Sequence, residues 1–188
     1  MTTTSAFIPE LILKKGNTLV HNLTAIASGT FLLCLLAQIS ILLPFTPVPI
    51  TGQTFGVALI ALLWGKSRGV ACVASYLALG SMGLPVFAAA SSGLTFGPTF
   101  GYLAGMFIAS FVMGSLSDLG WTKTFAKTWL AAFIGSVITF SCGVFVLSFF
   151  IPSNSLLAAG VLPFVPGDII KTFIVCLIVT STSKMAKI

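Results

Sequence analysis

The sequence predicts an all-α integral membrane protein of six transmembrane helices, both termini cytoplasmic, with a ligand pocket facing outward. Three observations carry that expectation. The 188 residues are 57% hydrophobic and 6% charged, with a mean hydropathy of +1.13. A soluble domain carries about 25% charged residues, so this chain lacks the polar surface for a water-soluble fold. Apolar runs near the length that crosses about 30 Å of hydrocarbon recur along it. The basic residues gather in alternate connections, as cytoplasmic loops require.

The elements follow in order, as one membrane domain over residues 1–188. Residues 1–21 are a mixed lead with Glu10, Lys14, Lys15 and the single His21. Its basic pair before an apolar run imitates a signal peptide, but the run over 22–43 has the length of a span and no small-residue cleavage site follows. It reads as a retained first helix. Pro44, Pro47 and Pro49 then interrupt the chain, because proline removes a donor and pushes the preceding residue toward extended geometry. A short second segment covers 51–64, a basic turn 65–69, and a third segment 70–84. The stretch 85–100 is uncharged, small and broken, and loops this long without structure of their own are often functional. A fourth segment spans 101–116, a charged turn 118–127, and a fifth segment 128–150. The connector 152–166 holds a short interfacial helix near 155–161, and the last segment covers 167–182.

With the N-terminus inside, the cytoplasmic parts carry Lys14, Lys15, Lys66, Arg68, Lys123, Lys127, Lys184 and Lys187. Lys171 is the ninth basic residue and the exception, since it lies within the last span. An ionisable side chain at that depth is costly and is read as functional by default. The same topology puts the three proline- and glycine-rich breaks together outside, where irregular backbone can line a wet cavity. Asp168 and Lys171, three residues apart, share one helix face at its wall. Lys171 offers positive charge to an anionic or polar ligand, and Asp168 accepts ligand N–H groups or holds Lys171 when the pocket is empty. The bland alternative is a structural ion pair with Asp168 as N-cap. Gln53 and Thr54, one turn into the second segment, are either ligand contacts or helix-to-helix hydrogen bonds. Ser91 and Ser92 can cap a ligand or loose backbone groups. Phe87, Phe96 and Tyr102 offer walls for an apolar ring. Ala25 and Gly29, four apart on the first segment, form a small face for close approach of a helix of this chain or of a partner.

Several functions are excluded. Gly65-Lys66-Ser67 resembles the end of a phosphate-binding loop, but Ile60 stands where that pattern needs glycine. Energy for uphill transport must then come from another subunit or from an ion gradient. Cys34, Cys72, Cys142 and Cys176 share no metal-ligand spacing. The net charge of +6 is scattered rather than gathered into the basic face a nucleic-acid binder needs. His21 is remote from Asp168, and no carboxylate pair is available for acid–base work, so no enzyme is expected.

Four ordered motifs carry a resemblance. They are Pro47-Val48-Pro49-Ile50-Thr51 with Gln53-Thr54, Gly83-Leu84-Pro85-Val86-Phe87, Gly97-Pro98-Thr99 with Gly101-Tyr102, and Pro163-Phe164-Val165-Pro166-Gly167-Asp168 with Lys171. Together they resemble the BioY family, the biotin-binding S components of energy-coupling factor (ECF) transporters, over about residues 44–180. The resemblance implies six helices in a bacterial inner membrane and biotin as the transported ligand, with no cofactor. It implies partners too: a transmembrane coupling subunit and two ATPases. It assigns Asp168 and Lys171 to the biotin site, implicates Gln53 and Thr54, and lays the 85–100 loop over the pocket. An S component for another vitamin, an ion-coupled stand-alone carrier and a ligand-free assembly protein are the alternatives.

Overall fold

A computed structural model describes residues 18–185. The chain runs α1 (Thr18–Gln38), β1 (Ser40–Ile41), β2 (Ile50–Thr51), α2 (Gln53–Ser81), α3 (Phe100–Asp118), α4 (Phe125–Leu147), α5 (Leu156–Gly160) and α6 (Val165–Met185). Single 3₁₀ turns lie at Ala88–Ala90, Trp121–Lys123 and Ser153–Ser155. Glu10, Lys14, Lys15 and Lys187, on which part of the charge argument rests, lie outside the described residues.

Among the described residues, five helices are long and apolar enough to cross a membrane. Their polarity is inverted relative to a soluble bundle. On α6, Ile169, Ile170, Phe173, Ile174, Leu177 and Ile178 face outward at 37–61% exposure, while Thr172, Thr180 and Ser183 are buried. In water that outer stripe would cost roughly 25 cal/mol per Å²; against lipid it costs nothing. The inner Thr and Ser hydroxyls are spent on backbone carbonyls, as Thr172 on Asp168 and Thr180 on Cys176. This is a multi-pass membrane protein.

Five helices yield six apolar arms because α2 is broken. Gly65 has φ 75° and ψ −174°, a conformation essentially restricted to glycine. There the chain turns back on itself: a Cβ added to Gly69 would lie 2.9 Å from the Cα of Ala61, although residues eight apart in a continuous helix stand about 12 Å apart. The turn expected over 65–69 is therefore one glycine, and the second arm begins at residue 66 rather than 70. Asp118 accepts the Lys66 backbone N–H at 3.2 Å and holds the turn against the end of α3.

Other boundaries also move. The first helix ends at Gln38, not at residue 43, because Ser40 and Ile41 pair antiparallel with Thr51 and Ile50 and the Gly52 N–H reaches the Ile39 carbonyl at 2.9 Å. The proline break is thus the tip of a small hairpin. The last helix begins at Val165, two residues before the expected start.

The apolar interior lies between α2, α3, α4 and α6, with Val57, Ile60, Met106, Ala109, Met113, Ala132, Val175 and Val179 buried together. The closest contact joins α3 to α4. A Cβ at Gly101 would meet the Cys142 carbonyl at 2.3 Å, and one at Gly105 the Cα of Thr139 at 2.9 Å. The small face on α1 has an occupant inside the chain: Gly29 is covered by the Trp64 ring and the Cys72 sulfur, and the Cys72 thiol approaches the Ala25 carbonyl at 4.0 Å. This corrects Ala25 and Gly29 as contacts for a partner helix, since Gly29 is already filled by α2.

Candidate ligand-binding site

The site grows from the β1–β2 hairpin. It delivers Thr51 to the head of α2, where the Thr51 hydroxyl donates to Gln53 Oε1 at 2.9 Å and Gln53 Nε2 donates to the Tyr76 hydroxyl of the other α2 arm. The Thr51 carbonyl, at the end of its strand, turns toward α6 and accepts a hydrogen bond from Lys171 Nζ at 2.7 Å, across 120 residues of sequence. An ammonium has three donors, so two remain.

Asp168 sits one turn earlier on α6. Its backbone N–H bonds to the Phe164 carbonyl at 2.8 Å, an ordinary helical bond, so it is not the N-cap. Its carboxylate meets the Ser136 hydroxyl of α4. Among the described residues no ion pair within 4 Å joins Asp168 to Lys171. The two side chains thus make no close contact pair: the lysine donates to a backbone carbonyl, and the acid faces Ser136.

These two charges stand at one end of a cavity of about 440 Å³, well within the 300–1,000 Å³ of small-molecule sites. Thr51, Gln53, Thr54 and Thr139 add polar atoms at that end, and Val48, Tyr102, Met106, Phe140 and Phe164 wall the rest. Of the nine residues singled out as ligand candidates, eight line this one cavity: Asp168, Lys171, Gln53, Thr54, Ser91, Ser92, Phe87 and Tyr102. Phe96 does not; it joins a ring cluster with Phe100, Phe149 and Phe150 on the rim. Beneath the charged end lies a second cavity of about 20 Å³ reaching Ser136 and Thr172, enough for about one water.

Lining a cavity differs from offering it a polar atom. Gln53 is buried, with its amide engaged at both ends. The Tyr102 hydroxyl donates to the Gly160 carbonyl at 2.8 Å, fixing α5, so its ring is what faces inward. Ser91 donates to the Ala88 carbonyl, so its proton is engaged with loop backbone.

The 82–99 stretch roofs the cavity. Phe87 stands edge-to-face with Tyr76 at 5.4 Å and presses its ring against Gly80. Ala89 and Ala90 sit at φ 54° and 55°, which costs an L-residue about 1–2 kcal/mol each. Gln38, the last residue of α1, holds them: its Oε1 accepts the Ala90 N–H at 3.1 Å, and its Nε2 donates to the carbonyls of Val86 and Phe87 at 3.3 and 3.2 Å. Gln38→Ala is accordingly expected to speed amide exchange at Ala90 by about three- to tenfold, the loss of one solvent-exposed bond together with release of strain. Hydrogen–deuterium exchange reads this directly. Unchanged protection would show that the roof is held by other contacts.

Sequence reasoning missed Gln38, the Thr51 carbonyl, Ser136, Thr139, Phe140 and Phe164. Gln38 had a signal: an amide at the end of an apolar run just before a proline break. Thr139 and Phe140, in mid-helix among other apolar residues, had none.

An inverted-polarity helical bundle, broken at one end into irregular backbone around a charged, apolar-walled cavity, defines a membrane protein built to bind a small amphipathic solute. The chain belongs to the BioY family, whose model matches residues 5–188. It is similar to the biotin transporter BioY of Thermotoga maritima, 37% identical over 163 residues that cover 85% of this chain and 95% of that one. It is also similar to the biotin transporter BioY2 of Lactococcus lactis subsp. cremoris, 36% identical with 85% and 88% covered. A crystal structure of the S-component for biotin from an ECF-type ABC transporter superposes with a TM-score of 0.83 at 30% identity, over 90% of this chain and 94% of that one.

Proposed function

We propose that this chain is the substrate-specific membrane subunit of an ECF-type transporter and that biotin is its substrate. The observation that carries the reading is the cavity at the Asp168–Lys171 end of the bundle. Biotin is a compact apolar bicycle with a ureido group at one end and a carboxylate at the other. A polar end with one cation and one anion, followed by aromatic and aliphatic walls, matches both parts. Lys171 pairs with an oxygen of the ligand by a charge-assisted bond, and Asp168 accepts N–H groups. Thr54, Ser92, Phe87 and the Tyr102 ring complete the contacts, while Gln53 contributes through Thr51. The protein transports and does not catalyse. A transmembrane coupling subunit and ATPase subunits supply the energy in a bacterial inner membrane.

Titration calorimetry of the purified protein tests this reading: biotin should bind one to one, and a panel of other water-soluble vitamins should give flat traces. Saturable binding of a different vitamin in place of biotin would reassign the substrate.

The six arms span the membrane with both termini cytoplasmic and the cavity open outward. The charge distribution supports this orientation. Lys66, Arg68, Lys123, Lys127 and Lys184 lie toward the end remote from the cavity, about 24 Å away along α3 from Tyr102 to Asp118. In a cysteine-free background, Ser92→Cys should react in intact cells with a membrane-impermeant maleimide, and Ser67→Cys only after lysis. The reverse pattern would invert the topology.

A further inference from the structure

Three hydrogen bonds run in series from the interior of the bundle to the charged end of the cavity. Tyr76 is 1% exposed and receives Gln53 Nε2; Gln53 is 5% exposed and receives the Thr51 hydroxyl; the Thr51 carbonyl receives Lys171 Nζ. Tyr76 does not line the cavity, and its ring carries the edge of Phe87 from the roof. We infer that Tyr76 is a positioning residue for the Lys171 ammonium, acting through Gln53 and Thr51. This rests on the biotin-binding reading above and adds a residue to it.

The physical case is one of preorganisation. A lysine head on a four-carbon stem is mobile, and holding one costs up to about 2 kcal/mol of rotamer entropy. The Thr51 carbonyl can hold it only if Thr51 is itself fixed. The strand pairing of Thr51 with Ser40 fixes one side, and the hydroxyl bond to Gln53 fixes the other. Gln53 is held in its orientation by the two bonds together, accepting from the Thr51 hydroxyl at Oε1 and donating to the Tyr76 hydroxyl from Nε2. Remove the Tyr76 hydroxyl, and Gln53 loses one of the two partners that set this orientation. Thr51 then loses a defined acceptor, and the ammonium loses a defined seat. A ligand must subsequently order the lysine itself, which lowers affinity without removing any ligand contact.

The test uses the purified full chain titrated with biotin. Tyr76→Phe should weaken affinity about three- to tenfold, the range of one net hydrogen bond. In a Lys171→Met background the same substitution should cost less than about twofold, because the group being positioned is gone. An equal penalty in both backgrounds would make Tyr76 a packing residue and overturn the inference, as would no penalty in either. Should Lys171→Met bind too weakly to titrate, Tyr76→Phe and Thr51→Val decide the matter in the presence of Lys171: the double variant should be no weaker than the weaker single one, and additive losses overturn the relay. A wild-type protein that fails to bind biotin is a distinct result, overturning the functional reading itself and the relay with it.

Discussion

Lys171→Ala is expected to weaken biotin binding at least tenfold, or about 1.4 kcal/mol. Two losses combine. The ligand loses a charge-assisted hydrogen bond, a kind worth about 1.5–3 kcal/mol. The Thr51 carbonyl loses its 2.7 Å donor and has to be rehydrated or left unpaired. Asp168→Asn should cost a similar factor by a different route, since shape is kept while the negative acceptor becomes half donor. Because the two residues line the same end of one cavity and meet one ligand, the double variant should depart from simple additivity. Calorimetric titration in detergent measures all three proteins. Wild-type affinity in Lys171→Ala would remove the lysine from the site, and a double variant no worse than either single one would mean the pair acts as a unit.

The residues legible in sequence were those whose chemistry is conspicuous against a greasy background. One lysine breaking a basic-inside pattern and one acid three residues before it are rare events in such a chain, and both line the cavity. Gln53, Phe87 and Tyr102 also line it, but how they act could not be read. A glutamine looks the same whether its amide meets a ligand or a tyrosine 23 residues later, and only the fold-back at Gly65 brings Tyr76 within reach. The partner of Lys171 was invisible for a related reason. It is a backbone carbonyl, which every residue has, placed by a two-residue strand too short to leave a periodic pattern. Helix ends erred in the same places: α1 loses five residues to that hairpin, while α6 starts early because Val165 and Pro166 suit a first turn, where proline's missing N–H costs nothing. The small-residue signal falls on α1, whereas the tightest backbone approach is made by Gly101 on α3, with Gly105 four residues on also against α4.

Gly101→Val should therefore be among the most destabilising single changes in the bundle. The new Cβ would sit 2.3 Å from the Cys142 carbonyl oxygen and 2.7 Å from the Val146 Cβ. The first of these is main chain and cannot swing aside as a side-chain tip would, so α3 and α4 must separate. Overpacking of this kind costs about 1–3 kcal/mol even where side chains can yield, and about 3 kcal/mol or more is expected here. The damage should reach the cavity, because Tyr102 follows Gly101 directly and Thr139 and Phe140 lie on the facing turn of α4. Gly167→Ala is the matched control: its Cβ would meet nothing within 4 Å, and alanine in a helix is favoured over glycine by about 0.5–1 kcal/mol. Thermal unfolding in detergent, followed by size exclusion, should show a large drop in midpoint for Gly101→Val and none for Gly167→Ala. Equal midpoints for the two would mean that the helices do not approach as closely as 2.3 Å implies, and the wall carrying Tyr102 and Phe140 would then have to be redrawn.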